Sequence, residues 1–310
     1  MHNPEIVPAL SDFGFKNLFG KGEESKDNLI FLLNEILKEY PGIGRIVSVE
    51  YRNPEHQGQN RERKSTRFDI YCRTEDNRLF IVEMQNETDA YIKKRLVFYM
   101  CQAVTENDSR KDPERPWNYD FPPVIAIMLC NFVDNEIDSR EVNYFGLVNL
   151  HTGRILGQYV GLVILQLPLF PKEREECGTE LEKIIFSLEN MEEIVAKKTR
   201  SFSQEEGDFY DRIERMSHTA SLTNDELHAY HQWLKVTNDD RLRLQRAEEK
   251  GIAEGMEKGI AEGMEKGIAE GMEKNQWENA FKMYKRNYPL DEISLITGLP
   301  VEEMKKKWFK

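Results

Sequence analysis

The sequence is poor in the residues that would place it in a class at once. It has only four cysteines in 310 residues, Cys72, Cys101, Cys130 and Cys177, and no CxxC pair. That spacing excludes a disulfide framework and a cysteine-based zinc site, and it favours a reducing compartment. Cys72, Cys101 and Cys130 fall in apolar stretches, where a reduced thiol acts as a small buried hydrophobe. Six histidines are scattered, and only His228 and His231 are close. With no third ligand type nearby, that pair makes no metal site. No apolar run approaches the roughly 18 residues that cross a bilayer. The opening MHNPEIVPALSDFGFK has neither a basic n-region nor an apolar h-region, so it predicts no signal peptide. These absences predict a cytoplasmic protein with no membrane partner. Positive charge is also in deficit, with 43 Lys and Arg against 55 Asp and Glu for a net charge of −12. Such a balance excludes a protein that coats nucleic acid through a broad basic surface, but it leaves room for a local basic groove. Residues 52–67 form one local excess, with Arg52, Arg61, Arg63, Lys64 and Arg67 against Glu55 and Glu62.

What is present reads as an α/β domain followed by helices. Asp27-Asn28 opens a segment, LIFLLNEILKEY, with apolar residues at helical spacing, and Pro41-Gly42 stops it. RIVSVEYR reads as a strand, NPEHQGQNRERKST as a polar loop, and RFDIYCRT and RLFIVEMQ as two strands joined at Glu75-Asp76-Asn77. A helix follows from Ala90 to about Glu106. PVIAIMLCNF is then a near-continuous apolar run of the kind buried on both faces of a sheet, and EVNYFGLVNL and LVILQLPLF are further strands.

The hairpin carries the most information. Asp69 and Glu83 lie symmetrically about Asp76, so closure with Thr74 opposite Arg78 sets the two acids directly across from each other. Parity then predicts one apolar side made of Phe68, Ile70, Cys72, Phe80, Val82 and Met84. Asp69, Glu83 and Gln85 would share the other side. Opposed carboxylates have Cβ atoms only about 4.5–5.5 Å apart, and like charges there are destabilising. A hard divalent cation held through oxygen offsets that repulsion, and the Met84 backbone carbonyl would add a third oxygen. A solvated face, or pairing with Arg67 or Arg73, is the plainer alternative.

SDFGFKNLFG, then FDIYCRTEDNRLFIVEMQ, then RLVFYMCQ resemble the Rpn-type recombination-promoting nucleases, also described as PD-(D/E)XK nuclease family transposases. The resemblance covers roughly residues 10 to 170. It implies a restriction-endonuclease-like core, a mixed central sheet flanked by helices, with a helical C-terminal extension. It also implies Mg²⁺- or Mn²⁺-dependent hydrolysis of DNA phosphodiesters linked to recombination or mobile elements. The family's pattern of an acid followed by Glu-x-Gln falls on Asp69, Glu83 and Gln85 as catalytic residues, with Asp69, Glu83 and the Met84 carbonyl on the metal. Gln85 stands where most nucleases of this fold carry lysine; it keeps hydrogen-bonding capacity and loses the charge. A nuclease-fold protein that cleaves weakly and acts by binding DNA or a protein is therefore the alternative. A nuclease acting on RNA is a third reading.

Arg95 and Tyr99, four apart on the following helix, are candidate substrate-binding residues, the plainer alternative being a surface Arg95 and a core Tyr99. Asp12 and Lys16 are one helical turn apart, and Asp12 reads either as a helix cap or as a further acid for the metal. Glu35 gives a mixed signal and receives no role.

The expected organisation is a nuclease-like domain over 1–172, a charged helical region over 173–250, a spacer over 251–274 and a small helical unit over 275–310. The spacer is GIAEGMEK three times. Its Ile and Met recur every four residues, so the stripe drifts about 40° per step and forms no coiled-coil seam. A charged spacer and a segment for homo-oligomerisation are the two readings. In the closing unit Asp291 is expected to cap ISLITG, and Gly298-Leu299-Pro300 turns into a last helix carrying Lys305, Lys306 and Lys307. That outline is a helix-turn-helix.

Overall fold

A computed structural model describes residues 5–52, 55–56, 66–107, 120–197, 202 and 208–308. Most of the basic segment 52–67 lies outside the described residues. The chain divides into two compact units, 1–231 and 232–310.

The first unit is built on a six-stranded mixed sheet of order β1-β4-β5-β6-β8-β7. Its strands are β1 (Val49–Tyr51), β4 (Ile70–Thr74), β5 (Leu79–Gln85), β6 (Val124–Cys130), β7 (Val142–Gly146) and β8 (Val160–Gln166). A separate two-residue pairing joins β2 (Glu55–His56) to β3 (Thr66–Arg67). β5, β6 and β8 run parallel, and the outer pairings are antiparallel. All seven residues of β6 are buried, as its unbroken apolar run requires of a central strand.

One face of the sheet packs on α1 (Asp12–Phe19), α2 (Glu23–Ile36), α4 (Glu180–Glu189) and α6 (Asp208–Ser217) through a single core that includes Phe15, Leu32, Phe80, Ile127, Ile185 and Ile213. The other face packs on α3 (Ile92–Glu106) through Tyr71, Leu79, Ile81, Leu96 and Ala126. The boundary expected at residue 172 therefore falls inside this unit. The charged segment after it hides an apolar stripe, and α4, α5 (Met191–Lys197) and α6 bury that stripe against the same core. α4 begins with a full capping box, in which Thr179 Oγ1 accepts from the Glu182 N–H and Glu182 accepts from the Thr179 N–H.

Local punctuation differs from the sequence reading in four places. α2 starts at Glu23, one turn before the expected Asp27-Asn28 start, and Asn28 is instead buried, donating to the Leu18 carbonyl at 3.1 Å. The strand read over RIVSVEYR shortens to β1 because Val47 and Ser48 give their N–H groups to Glu75. Cys101 is exposed, since it lies on the outer side of α3, whereas Cys72 and Cys130 are buried as expected. The residue before α8 is Pro289, and Asp291 sits in the first turn rather than capping it.

α7 (Asn224–Lys285) begins in the first unit and, in the second, runs through the whole repeat without a break. Its end packs with α8 (Leu290–Thr297) and α9 (Val301–Trp308) around Ala280, Ile293, Leu299 and Met304. Gly298 supplies the left-handed turn between α8 and α9 at φ 75°. Among the described residues, no helix is long and apolar enough to cross a membrane.

Candidate functional site

The hairpin closes in the expected register. Ile70 pairs with Val82, Cys72 with Phe80 and Arg73 with Leu79, and the Thr74 N–H donates to the Arg78 carbonyl at 3.0 Å. Asn77 takes the left-handed conformation, φ 65°, needed at the third position of a three-residue hairpin loop. Register and turn together bring Asp69 opposite Glu83. The Asp69 N–H donates to Glu83 Oε1 at 3.3 Å, and the Met84 N–H donates to Asp69 Oδ2 at 2.9 Å. In a strand a residue's N–H and C=O lie along one edge, so the Met84 carbonyl shares the Asp69 side of β5.

The expected parity fails at one residue. Phe68 lies on the α3 face, stacking edge-on against Tyr71 at 5.3 Å and Tyr99 at 4.9 Å. β4 begins only at Ile70, and the bend at Asp69 turns the preceding side chain across the sheet.

The site stands at the C-terminal end of β5, where Gln85, Cys130 and Gln166 lie in register across the three parallel strands. Gln85 Oε1 accepts from Arg95 Nη2 at 3.0 Å, and its amide nitrogen donates to the Glu87 carbonyl at 3.0 Å. Arg95 also reaches Asp89 at 3.4 Å. Its Nε is buried and has no acceptor among the described residues. Tyr99 is 9% exposed and belongs to the core under α3. Burial raises its phenol, and the Glu83 carboxylate adds to that shift.

Lys16 is the residue that sequence reasoning left without a role. Its Nζ lies 2.8 Å from Asp69 Oδ1, so α1 delivers a cation into the site. The only signal in the sequence was its place one turn after Asp12. Gly14 makes that delivery feasible, because a Cβ there would lie 2.0 Å from the Pro8 carbonyl oxygen that folds over the helix start. The cap of α1 is Ser11, whose Oγ accepts from the Gly14 N–H at 3.1 Å; Asp12 is the first helical residue, not the cap. Asp12 nevertheless feels the site, since desolvation raises its carboxyl first, Asp69 raises it further and Lys16 pulls it down.

The electrostatics centre on Glu83, which is only 7% exposed. Burial pushes its carboxyl up to about 8, and the charge of Asp69 adds to the rise. The Asp69 N–H, Arg95 and Lys16 act in the other direction. Two acids so placed hold one negative charge comfortably and a second only beside an added cation. The donor set, two carboxylates beside a strand carbonyl, is all oxygen, which suits Mg²⁺ or Mn²⁺ and not a thiophilic metal. Among the described residues, no three His, Cys, Asp or Glu side chains cluster as a ready-made metal cage.

A mixed six-stranded sheet flanked by helices is the architecture of a PD-(D/E)XK-like α/β protein. The chain belongs to the PD-(D/E)XK nuclease family transposases, whose family model matches residues 9–247. No curated protein and no solved structure matches it.

Proposed function

We propose that this chain is a divalent-metal-dependent DNA endonuclease that hydrolyses phosphodiester bonds in the service of recombination or mobile elements. The observation that carries the reading is the opposition of Asp69 and buried Glu83 across the hairpin, a pair that is costly without a cation. Asp69 and Glu83, with the Met84 carbonyl, would hold Mg²⁺ or Mn²⁺. Such an ion, when bound, activates a water and neutralises charge on the scissile phosphate. Gln85, fixed by Arg95, orients the water or a phosphate oxygen through its amide. Lys16 supplies the positive charge that Gln85 lacks, and Arg95 offers its planar fork to a phosphate. Tyr99 packs edge-on against Phe68, the residue before Asp69, and so supports the start of β4.

A second reading has one observation in its favour. Asp69 already accepts from Lys16 and from the Met84 N–H, so the site is internally satisfied without a metal. On that reading the protein cleaves weakly or not at all and acts by binding DNA or a protein.

The test is cleavage of supercoiled plasmid by the full chain with Mg²⁺, with Mn²⁺ or with EDTA, beside Glu83→Ala and Lys16→Ala. Metal-dependent nicking that disappears in Glu83→Ala and falls at least ~10-fold in Lys16→Ala supports the endonuclease reading. DNA binding without nicking in any metal favours the second reading. A parallel RNA substrate cut faster than DNA would replace the substrate while keeping the site.

A further inference from the structure

Helix α3 presents two different sides. Ile92, Leu96, Tyr99, Met100 and Ala103 face the sheet. Arg95 sits at the margin of that buried face and reaches Gln85. Tyr91 precedes Arg95 by four residues and Phe98 follows it by three, so both lie on its flank of the helix, one turn away in each direction. Their rings are 68% and 60% exposed. Lys94 lies between them in sequence, with its Nζ 5.8 Å from the centre of the Tyr91 ring. The start of the ridge is fixed, because the Tyr91 N–H donates to Asp89 Oδ1 at 2.8 Å, and Asp89 also contacts Arg95.

A single exposed aromatic needs no explanation. Two on the flank of a helix that reaches the site through Arg95, with cations beside them, are the combination found in single-strand grooves, where bases stack on rings and basic side chains follow the backbone. Seven residues separate the two positions, about 10.5 Å of helical rise between their Cα atoms. At about 3.4 Å per stacked base they bracket about two bases. A duplex keeps its base faces inside its own stack and has nothing to offer such rings.

We infer that Tyr91 and Phe98, with Lys94, form a stacking platform for unpaired bases next to the site at Asp69 and Glu83, so that the preferred substrate is single-stranded or locally melted nucleic acid. The platform's place on a substrate path rests on the nuclease reading; its capacity to bind does not. Val97 beside Phe98 is also exposed, but Lys94 and Arg95 separate the two aromatics, which suits a polyanion better than a protein partner needing a contiguous apolar patch.

The experiment measures fluorescence anisotropy of a labelled oligothymidine of about 15 nucleotides and of a blunt duplex of equal length with the full chain in EDTA. Tyr91→Ala/Phe98→Ala is expected to weaken oligothymidine binding ~10-fold or more and to leave duplex binding within about threefold, because each lost base–ring stack is worth about 1–3 kcal/mol. Tyr91→Phe/Phe98→Tyr keeps the rings and should bind like the wild type. Both pairs are exposed, so an unchanged melting temperature checks that the fold is intact. Unaltered oligothymidine affinity in the alanine pair overturns the platform, as does an equal loss on both nucleic acids. Failure of the ring-preserving pair does the same. A wild type that binds neither nucleic acid sinks both the platform and the nuclease reading. If single-strand binding depends on the rings but plasmid is never nicked, the platform stands and the nuclease reading falls.

Discussion

β6 and the GIAEGMEK repeat are both rich in aliphatic side chains and meet opposite ends. Every residue of β6 from Val124 to Cys130 is buried, whereas the six Ile and Met side chains of the repeat are between 53% and 65% exposed. Composition separates them in part, since each repeat of eight carries two Glu and one Lys, but period separates them as well. β6 alternates its side chains between two covered faces of a sheet, so each one meets a partner. The repeat advances four residues at a time on a helix that turns every 3.6, and its stripe winds away from any straight neighbour. An apolar residue becomes core only where its period matches a surface already in place.

The largest expected effect breaks that comparison directly. Phe80 is fully buried on the helix-covered face, and Phe80→Ala should cost about 3–5 kcal/mol through lost burial and the cavity left behind. Met264→Ala removes a side chain that is 65% exposed and should change stability by less than about 0.5 kcal/mol. Urea unfolding of both variants checks the pair. Comparable losses would mean that the repeat is buried in solution.

The next effect concerns the buried site. Because the Glu83 carboxyl rises from 4.5 to about 8, the folded metal-free protein keeps a proton that the unfolded chain has already released. Stability of the wild type in EDTA should fall as pH rises through that window, since the unfolded state binds fewer protons there. Glu83→Gln cannot ionise, so it should match the wild type near pH 4.5 and exceed it by on the order of 4 kcal/mol near pH 8. Thermal melts across this range are the check, and parallel curves for the two proteins would remove the buried-charge account. Added Mg²⁺ should stabilise only the wild type, and more at high pH, because the ion competes with the proton.

How much of this was legible follows from where each constraint is written. The hairpin was legible because both its halves sit within twenty residues: the symmetry of Asp69 and Glu83 about Asp76 fixes the register, and Asn77 accepts the left-handed turn. The contact between Arg95 and Gln85 was within reach for the same reason, ten residues apart across one helix start. Lys16 on Asp69 was not, because that ion pair closes over fifty-three residues and nothing local marks the lysine for it. Phe68 was misplaced by parity, which holds inside a strand and ends where the backbone bends. The helices after residue 172 looked like a separate charged region because their apolar stripe is narrow, and only the sheet face that receives it makes it core.

The smallest effect decides what the repeat is for. A Cβ added at Gly259 or Gly263 would meet nothing within 4 Å, and both positions are helical. Each Gly→Ala exchange should therefore strengthen the local helix by about 1 kcal/mol, read as slower amide exchange through 251–274 and higher helical circular dichroism. The urea midpoint of the first unit should not move. That sign holds only if the glycine edge faces solvent. Should another helix pack against it through the close approach that glycine allows, the same methyl groups would obstruct the contact. Gly259→Ala/Gly263→Ala would then lower the apparent mass in sedimentation while the isolated helix still gained order. A rise in helicity at constant mass identifies a spacer, and a rise with a loss of mass identifies a self-association surface.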